Sequence, residues 1–101
     1  MIIYNVTIKV DSFIHHEWLA WLKDDHVPLI LNTGCFARAT ISRLLEVDDM
    51  EGPTYTIQYY AESKALYNRF IEKYAEDMRQ KSFDKWGNGF IAFRSVMQVI
   101  H

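Results

Sequence analysis

The chain has 101 residues, of which 50% are hydrophobic and 15% aromatic, and its 11 Lys and Arg against 13 Asp and Glu give a net charge of −2. This composition excludes a disordered tail, and the lack of a basic excess argues against nucleic acid or an anionic membrane as a partner. A single cysteine, Cys35, excludes an intrachain disulfide. Neither a signal peptide nor an apolar run of about 20 residues is found, so we expect one domain over residues 1–101 in the cytoplasm.

The first half of the chain predicts a strand, an interrupted helix and a second strand. Apolar side chains alternate over Ile2–Val10, which is typical of a strand. A helical spacing of apolar residues follows, and Pro28 predicts that this helix kinks or restarts near His26. Thr33-Gly34 supplies a helix stop, and Phe36–Val47 is expected to form a strand.

The second half repeats this arrangement. Thr54–Ala61 predicts a strand that forms an antiparallel hairpin with the preceding one. Ser63 is a candidate cap for a helix with apolar residues at helical spacing up to Met78, and Phe90–Ile100 is the last strand. The order β-α-β-β-α-β predicts an α+β, ferredoxin-like βαββαβ plait with a four-stranded antiparallel sheet and both helices on one face.

Alternation along the strands assigns each residue to one face of the sheet. The face towards the helices is expected to contain Tyr4, Val6, Ile8, Tyr55, Ile57, Tyr59, Ile91, Phe93, Met97 and Val99. The opposite face is then mixed in polarity and too apolar to be left in water, which predicts a homodimer with the two sheets face to face. Its predicted interface residues are Asn5, Arg38, Gln58, Arg94 and Gln98. The alternative is a solvated face that tolerates a few apolar side chains.

The most interesting single position is His26, at the helix interruption caused by Pro28. A broken helix leaves backbone groups unpaired, and an imidazole there can act as a general acid or base, or as a polar anchor in an apolar cavity. Trp18, Trp21 and Tyr59 are candidate ligand contacts beside it. The alternative is that His26 caps the broken helix or hydrogen-bonds an acidic neighbour, and that the aromatic residues are simply core.

Other groups do not predict a site. His15 and His16 are adjacent and therefore point about 100° apart on a helix, so we expect no metal site there. Cys35 has no neighbouring base in the sequence and is expected to be a small buried residue. No cofactor is expected.

Several segments together resemble a family of short bacterial proteins known only as a domain of unknown function. They are Met1–Thr7, the helix from Glu17 to Pro28, Thr33-Gly34, Tyr55–Tyr59 and Phe90–Val96. The resemblance implies a cytoplasmic protein whose plaits pair as a dimeric α/β barrel. The wider superfamily includes cofactor-free monooxygenases, polyketide cyclases, lactone isomerases and haem enzymes, although a haem enzyme would be longer. His26-x-Pro28 is similar to a segment of the ethyl tert-butyl ether degradation type of barrel, where a polar residue on the first helix borders the ligand cavity.

Two hypotheses of function follow. The first is a small homodimer that binds or transforms a hydrophobic organic molecule in a cavity between helices and sheet, with His26 as its polar group. The alternative is a non-enzymatic dimer that acts as a protein-interaction module, because the residues do not form a set of acid, base and nucleophile.

Overall fold

The computed structural model describes residues 1–101 and contains one four-stranded antiparallel sheet. The strands are β1 (Ile2–Val10), β2 (Arg38–Arg43), β3 (Thr54–Ala61) and β4 (Phe90–Gln98), in the order β2-β3-β1-β4. The helices are α1 (His15–Trp21), a π-helical turn (Leu22–His26), α2 (Val27–Leu31), α3 (Lys64–Lys73) and α4 (Ala75–Trp86). Buried residues of the helical segments share one core with one side of the sheet, so the predicted ferredoxin-like plait is confirmed.

The central strand β1 explains how the sequence specifies the sheet. It pairs with β3 on one side and β4 on the other, and its residues alternate strictly between buried and half-buried. Tyr4 is the centre of the aromatic core, with ring centroids 6.1 Å from Phe36, 6.0 Å from Tyr59 and 5.8 Å from Phe70. A shift of one residue in register would turn this buried set towards solvent, so the pattern fixes the pairing.

The first helical segment is interrupted where Pro28 predicts it. Pro28 has no amide hydrogen, and its ring would crowd the carbonyl group four residues earlier. The chain accommodates this by widening into the π-helical turn, in which the Val27 amide donates to the carbonyl of Leu22, five residues back. A turn of this kind shifts the side chains that follow it relative to a regular helix. The segment ends after Leu31, and Gly34 follows with φ of +79°, so the predicted stop is confirmed.

The second helical segment begins as predicted but is divided in two. The Ser63 hydroxyl accepts a hydrogen bond from the Leu66 amide at 3.2 Å, which confirms it as a cap. At Tyr74 the backbone leaves helical geometry, with φ of −127°, and α4 begins at the next residue. The bend allows Ala75 and Met78 to be buried against the core.

The face assignment of β4 was wrong, and this changes the predicted interface. Arg94 pairs with the buried Val6, and Gln98 with the buried Ile2, so both belong to the helix side of the sheet. Ile91 and Phe93 lie on the outer side instead and are 60% and 69% exposed. The larger apolar residues suggested the opposite parity, but the ladder with β1 begins with Phe90 opposite Val10 and sets the faces of the whole strand.

The remaining predicted interface residues do lie on the outer face. Asn5 and Gln58 are paired neighbours in the sheet, and Arg38 pairs with Tyr60, over whose ring its guanidinium lies at 3.8 Å. β2 is shorter than expected because the chain leaves the ladder after Arg43, and Glu46 then has φ of 59°.

Candidate ligand-binding site

A cavity lies between the helices and the sheet. Its floor consists of β1 and β3 side chains, and its walls come from α1, the π-helical turn, α2, α3 and α4. The cavity has a volume of about 40 Å³. Of its 17 lining residues 13 are hydrophobic, and none is Asp or Glu. This lining has the character of a small-molecule pocket, and the side chains nearly close the space.

The π-helical turn aims His26 into this cavity. The imidazole stacks on the Trp21 ring, with centroids 4.4 Å apart and planes 20° from parallel. Its Nε2 atom lies 3.5 Å from the Ser82 hydroxyl on α4. Burial, with a smaller contribution from the Arg94 guanidinium, lowers the pKa of His26 to about 4. The ring is therefore neutral near pH 7 and presents one donor and one acceptor nitrogen.

The three predicted aromatic contacts all line the cavity, in different ways. Trp18 is fully buried in the wall that α1 forms, whereas Trp21 is half-buried beside His26. Tyr59 is buried against Tyr4, and burial raises the pKa of its hydroxyl well above the ordinary value. That hydroxyl therefore stays protonated, and it forms no hydrogen bond with another group of the protein.

Sequence reasoning missed two cationic residues at the mouth of the cavity. Arg79 on α4 donates a hydrogen bond to the Tyr4 hydroxyl at 3.3 Å, and Arg94 projects from β4 towards His26. Arg79 is exposed and lines the cavity from α4. It follows Met78 on the helix face next to the core, which is the signal that could have identified it.

The other candidate groups do not form a site. His15 hydrogen-bonds the Tyr55 hydroxyl and stacks near His16, and no group of three or more His, Cys, Asp or Glu residues is arranged to hold a metal ion. Cys35 is 1% exposed, as expected of a small buried residue. No helix has the length and apolar character that crossing a membrane requires.

The fold and the cavity define the class of protein: a ferredoxin-like α+β domain with a pocket between its two layers. Within this class, residues 1–100 match the family model for a domain of unknown function, DUF4286, and the chain belongs to that family. The resemblance seen in the sequence is thereby confirmed. No curated protein sequence is significantly similar to the chain.

Solved structures share the fold at low sequence identity. A dimeric ferredoxin-like protein from an uncultured marine organism is similar with a TM-score of 0.71 and 16% identity, over 99% of this chain and 95% of that one. SnoaB, a cofactor-independent oxygenase from Streptomyces nogalater, has a TM-score of 0.70 at 8% identity, over 99% and 93% of the two chains. An ethyl tert-butyl ether degradation (EthD) family protein from Bacillus halodurans has a TM-score of 0.68 at 9% identity, over 99% and 100%.

Proposed function

We propose that this protein binds a hydrophobic organic small molecule in the cavity between its helices and its sheet, with His26 as a polar contact. The observation that carries the proposal is a largely apolar cavity containing a histidine that burial keeps neutral. Buried polar groups of a packed core normally have strong hydrogen-bond partners within the protein. In this cavity the imidazole and the tyrosine hydroxyl do not, which favours a ligand as their partner. The similarity to a cofactor-independent oxygenase supports the same use of the fold.

A binding role for His26 is better supported than a catalytic one. A general base works best with a pKa near the working pH, and a pKa of about 4 leaves His26 a weak base at neutrality. The Ser82–His26 pair also lacks the third group of a nucleophile and base of the usual kind, because no carboxylate lines the cavity to orient the other ring nitrogen of His26.

The test of binding uses a neutral aromatic probe, 2-naphthamide, titrated by isothermal calorimetry and by quenching of tryptophan fluorescence. We expect saturable binding with one site per chain. Ser82→Phe places a ring at the mouth beside His26 and is expected to reduce the affinity at least about tenfold. Gln80→Phe, at an exposed position of the same helix, serves as the control and is expected to leave binding unchanged. Equal binding by both variants would contradict a site in this cavity.

We also propose that the protein is a homodimer, formed by the outer sheet faces of two copies. On this face Ile91, Phe93 and Met97 lie along β4, with Ser95 between the last two, and are 60%, 69% and 39% exposed. A second copy offers the same apolar strip, and a two-fold axis pairs the two strips without any other partner. The flat molecule measures 38 × 31 × 19 Å, so its broad face has room for the roughly 800 Å² per partner of a stable interface. The interaction-module alternative would place a different protein on this strip.

The dimer is tested by analytical ultracentrifugation over 0.1–50 μM, a range of about two to three decades chosen to bracket micromolar affinity. Phe93→Glu is expected to weaken association at least about 100-fold, because both copies lose an aromatic contact and bring a charge to the interface. Phe13→Glu is the control, since Phe13 is 98% exposed in the loop before α1. A wild-type monomer throughout this range would refute the pairing.

A further inference from the structure

We infer that the ligand of this cavity carries an anionic oxygen group, such as a carboxylate, which Arg79 and Arg94 bind at the mouth while its apolar body lies between helices and sheet. This inference rests on the proposed function and specifies its ligand. Both arginines line the cavity, one from α4 and the other from β4, so they approach it from two sides.

Neither arginine is engaged by an acidic residue of the protein. The ion pairs in the structure are Lys9 with Glu51 and Arg43 with Asp49, both away from this cavity. Arg79 has only the Tyr4 hydroxyl as a side-chain partner, and Arg94 donates no side-chain hydrogen bond at all. Each guanidinium therefore keeps donors free for a ligand, in a geometry suited to the two oxygens of a carboxylate.

The placement of charge around the molecule points the same way. The chain as a whole has a net charge of −2, and two other clefts on its helices each contain three carboxylates and one lysine: Glu17, Asp24, Asp25 and Lys85 in one, and Glu72, Glu76, Asp77 and Lys73 in the other. The aromatic cavity is lined by two arginines and no carboxylate. An anion is thus favoured at this mouth and disfavoured at the other two clefts.

The polar groups deeper in the cavity complement the same ligand. The Tyr59 hydroxyl is a donor without a protein partner, and the Tyr4 hydroxyl, which already accepts from Arg79, still has its hydrogen to donate. The hydroxyl oxygens of Tyr59 and Ser82 and one nitrogen of His26 can also accept, whereas Arg79 and Arg94 only donate and so give the site its excess of donors. A site in which donors predominate matches a ligand rich in acceptors, and an anionic oxygen group accepts the strongest hydrogen bonds.

The experiment compares two probes of nearly the same shape, 2-naphthoate and the neutral 2-naphthamide, by calorimetry at pH 7.5. We expect the wild-type protein to bind the carboxylate about tenfold more tightly, because two exposed charge contacts each contribute a factor of about three. Arg79→Gln and Arg94→Gln are each expected to reduce this preference to about threefold, and the double variant to abolish it. Arg69→Gln removes the same charge from an exposed position of α3 outside the cavity and should retain the full preference.

Each result separates this inference from the proposed function. Equal affinity of wild type for the two probes would overturn the anionic ligand while the binding function stands. Failure of both probes to bind would overturn both proposals. A tenfold preference that persists in the double variant would show that the two arginines do not carry it. Should the glutamine variants fold poorly, Arg79→Lys and Arg94→Lys keep the charge and are expected to keep most of the preference for the carboxylate. Complete loss of that preference in the lysine variants would contradict the inference.

Discussion

Lowering the pH should destabilise this protein specifically through His26. Burial, assisted by Arg94, lowers the pKa of this imidazole from 6.5 to about 4 in the folded state. Between these two values the unfolded chain binds a proton at this position that the folded protein does not. The free energy of unfolding therefore rises with pH across this window, and the stability is lost as the pH falls from about 6.5 to about 4.

The size of the effect follows from the two pKa values. The pKa falls from 6.5 to about 4, and each pKa unit corresponds to 1.36 kcal/mol. Protonation of the unfolded state therefore lowers the free energy of unfolding by about 3 kcal/mol at pH 4. In a chain of 101 residues this corresponds to a decrease in Tm on the order of 10–20 °C. Below pH 4 both states are protonated at this position, and no further loss arises from it.

The assay is urea unfolding of wild type and His26→Gln at pH 7.5, 6.5, 5.5, 4.5 and about 3.5, values chosen to span the ordinary and the lowered pKa. Other titrating groups act alike in both proteins and cancel in the difference. We expect the stability of the variant relative to wild type to rise by about 3 kcal/mol over this range. His101→Gln, at the exposed C-terminus, is the control and should follow wild type. Protein concentration is held constant, since association would make stability concentration-dependent.

Parallel curves for wild type and His26→Gln would refute the reasoning, because they would show that the folded and unfolded states protonate His26 at the same pH. A gain in the stability of wild type relative to the variant on acidification would refute the reasoning more strongly. It would mean that the pKa of His26 is raised in the folded state, which requires a partner that favours the charged ring. Observation of the imidazole carbon-bound hydrogens by NMR gives the folded-state pKa directly.

Two further predictions concern single side chains and glycines. Arg94→Gln removes the cation that contributes to the low pKa of His26, so NMR titration should show that pKa rising while remaining below the ordinary value, because burial is the larger cause; an unchanged pKa would place the guanidinium elsewhere. Gly52→Ala should lower the free energy of unfolding by about 3 kcal/mol or more, because a Cβ there would lie 1.7 Å from the Val10 carbonyl oxygen. Gly87→Ala, with positive φ but open space around it, should cost about 1 kcal/mol, and equal losses in urea unfolding would contradict the steric argument.

Much of the fold could be predicted because local patterns and backbone chemistry determine it. Strict alternation specifies β1, Pro28 and the missing amide hydrogen specify the helix interruption, and Ser63 supplies the capping oxygen. Each of these depends on residues within a few positions along the chain. Two candidate ligand contacts could be predicted in the same way, since His26 lies at the predicted break and Trp21 five residues before it.

Arg94 shows where local patterns fail. Both faces of β4 carry apolar side chains, and assigning the more apolar face to the core was wrong. Only the hydrogen-bonded ladder with β1 decides that Arg94 stands beside Val6, on the cavity side, and that Phe93 faces outward. The correction moves a cation into the candidate site and makes the outer face more apolar than expected.

The sequence by itself determined the order of the elements, the central strand and the break at Pro28, because these depend on periodicity and on the covalent structure of proline. The tertiary structure decided which face of β4 meets the helices and which side chains converge at the mouth of the cavity. His26, Ser82 and Arg94 come from three elements far apart in the chain. Strand register and helix packing bring such residues together, and neither is encoded in the spacing of any one segment.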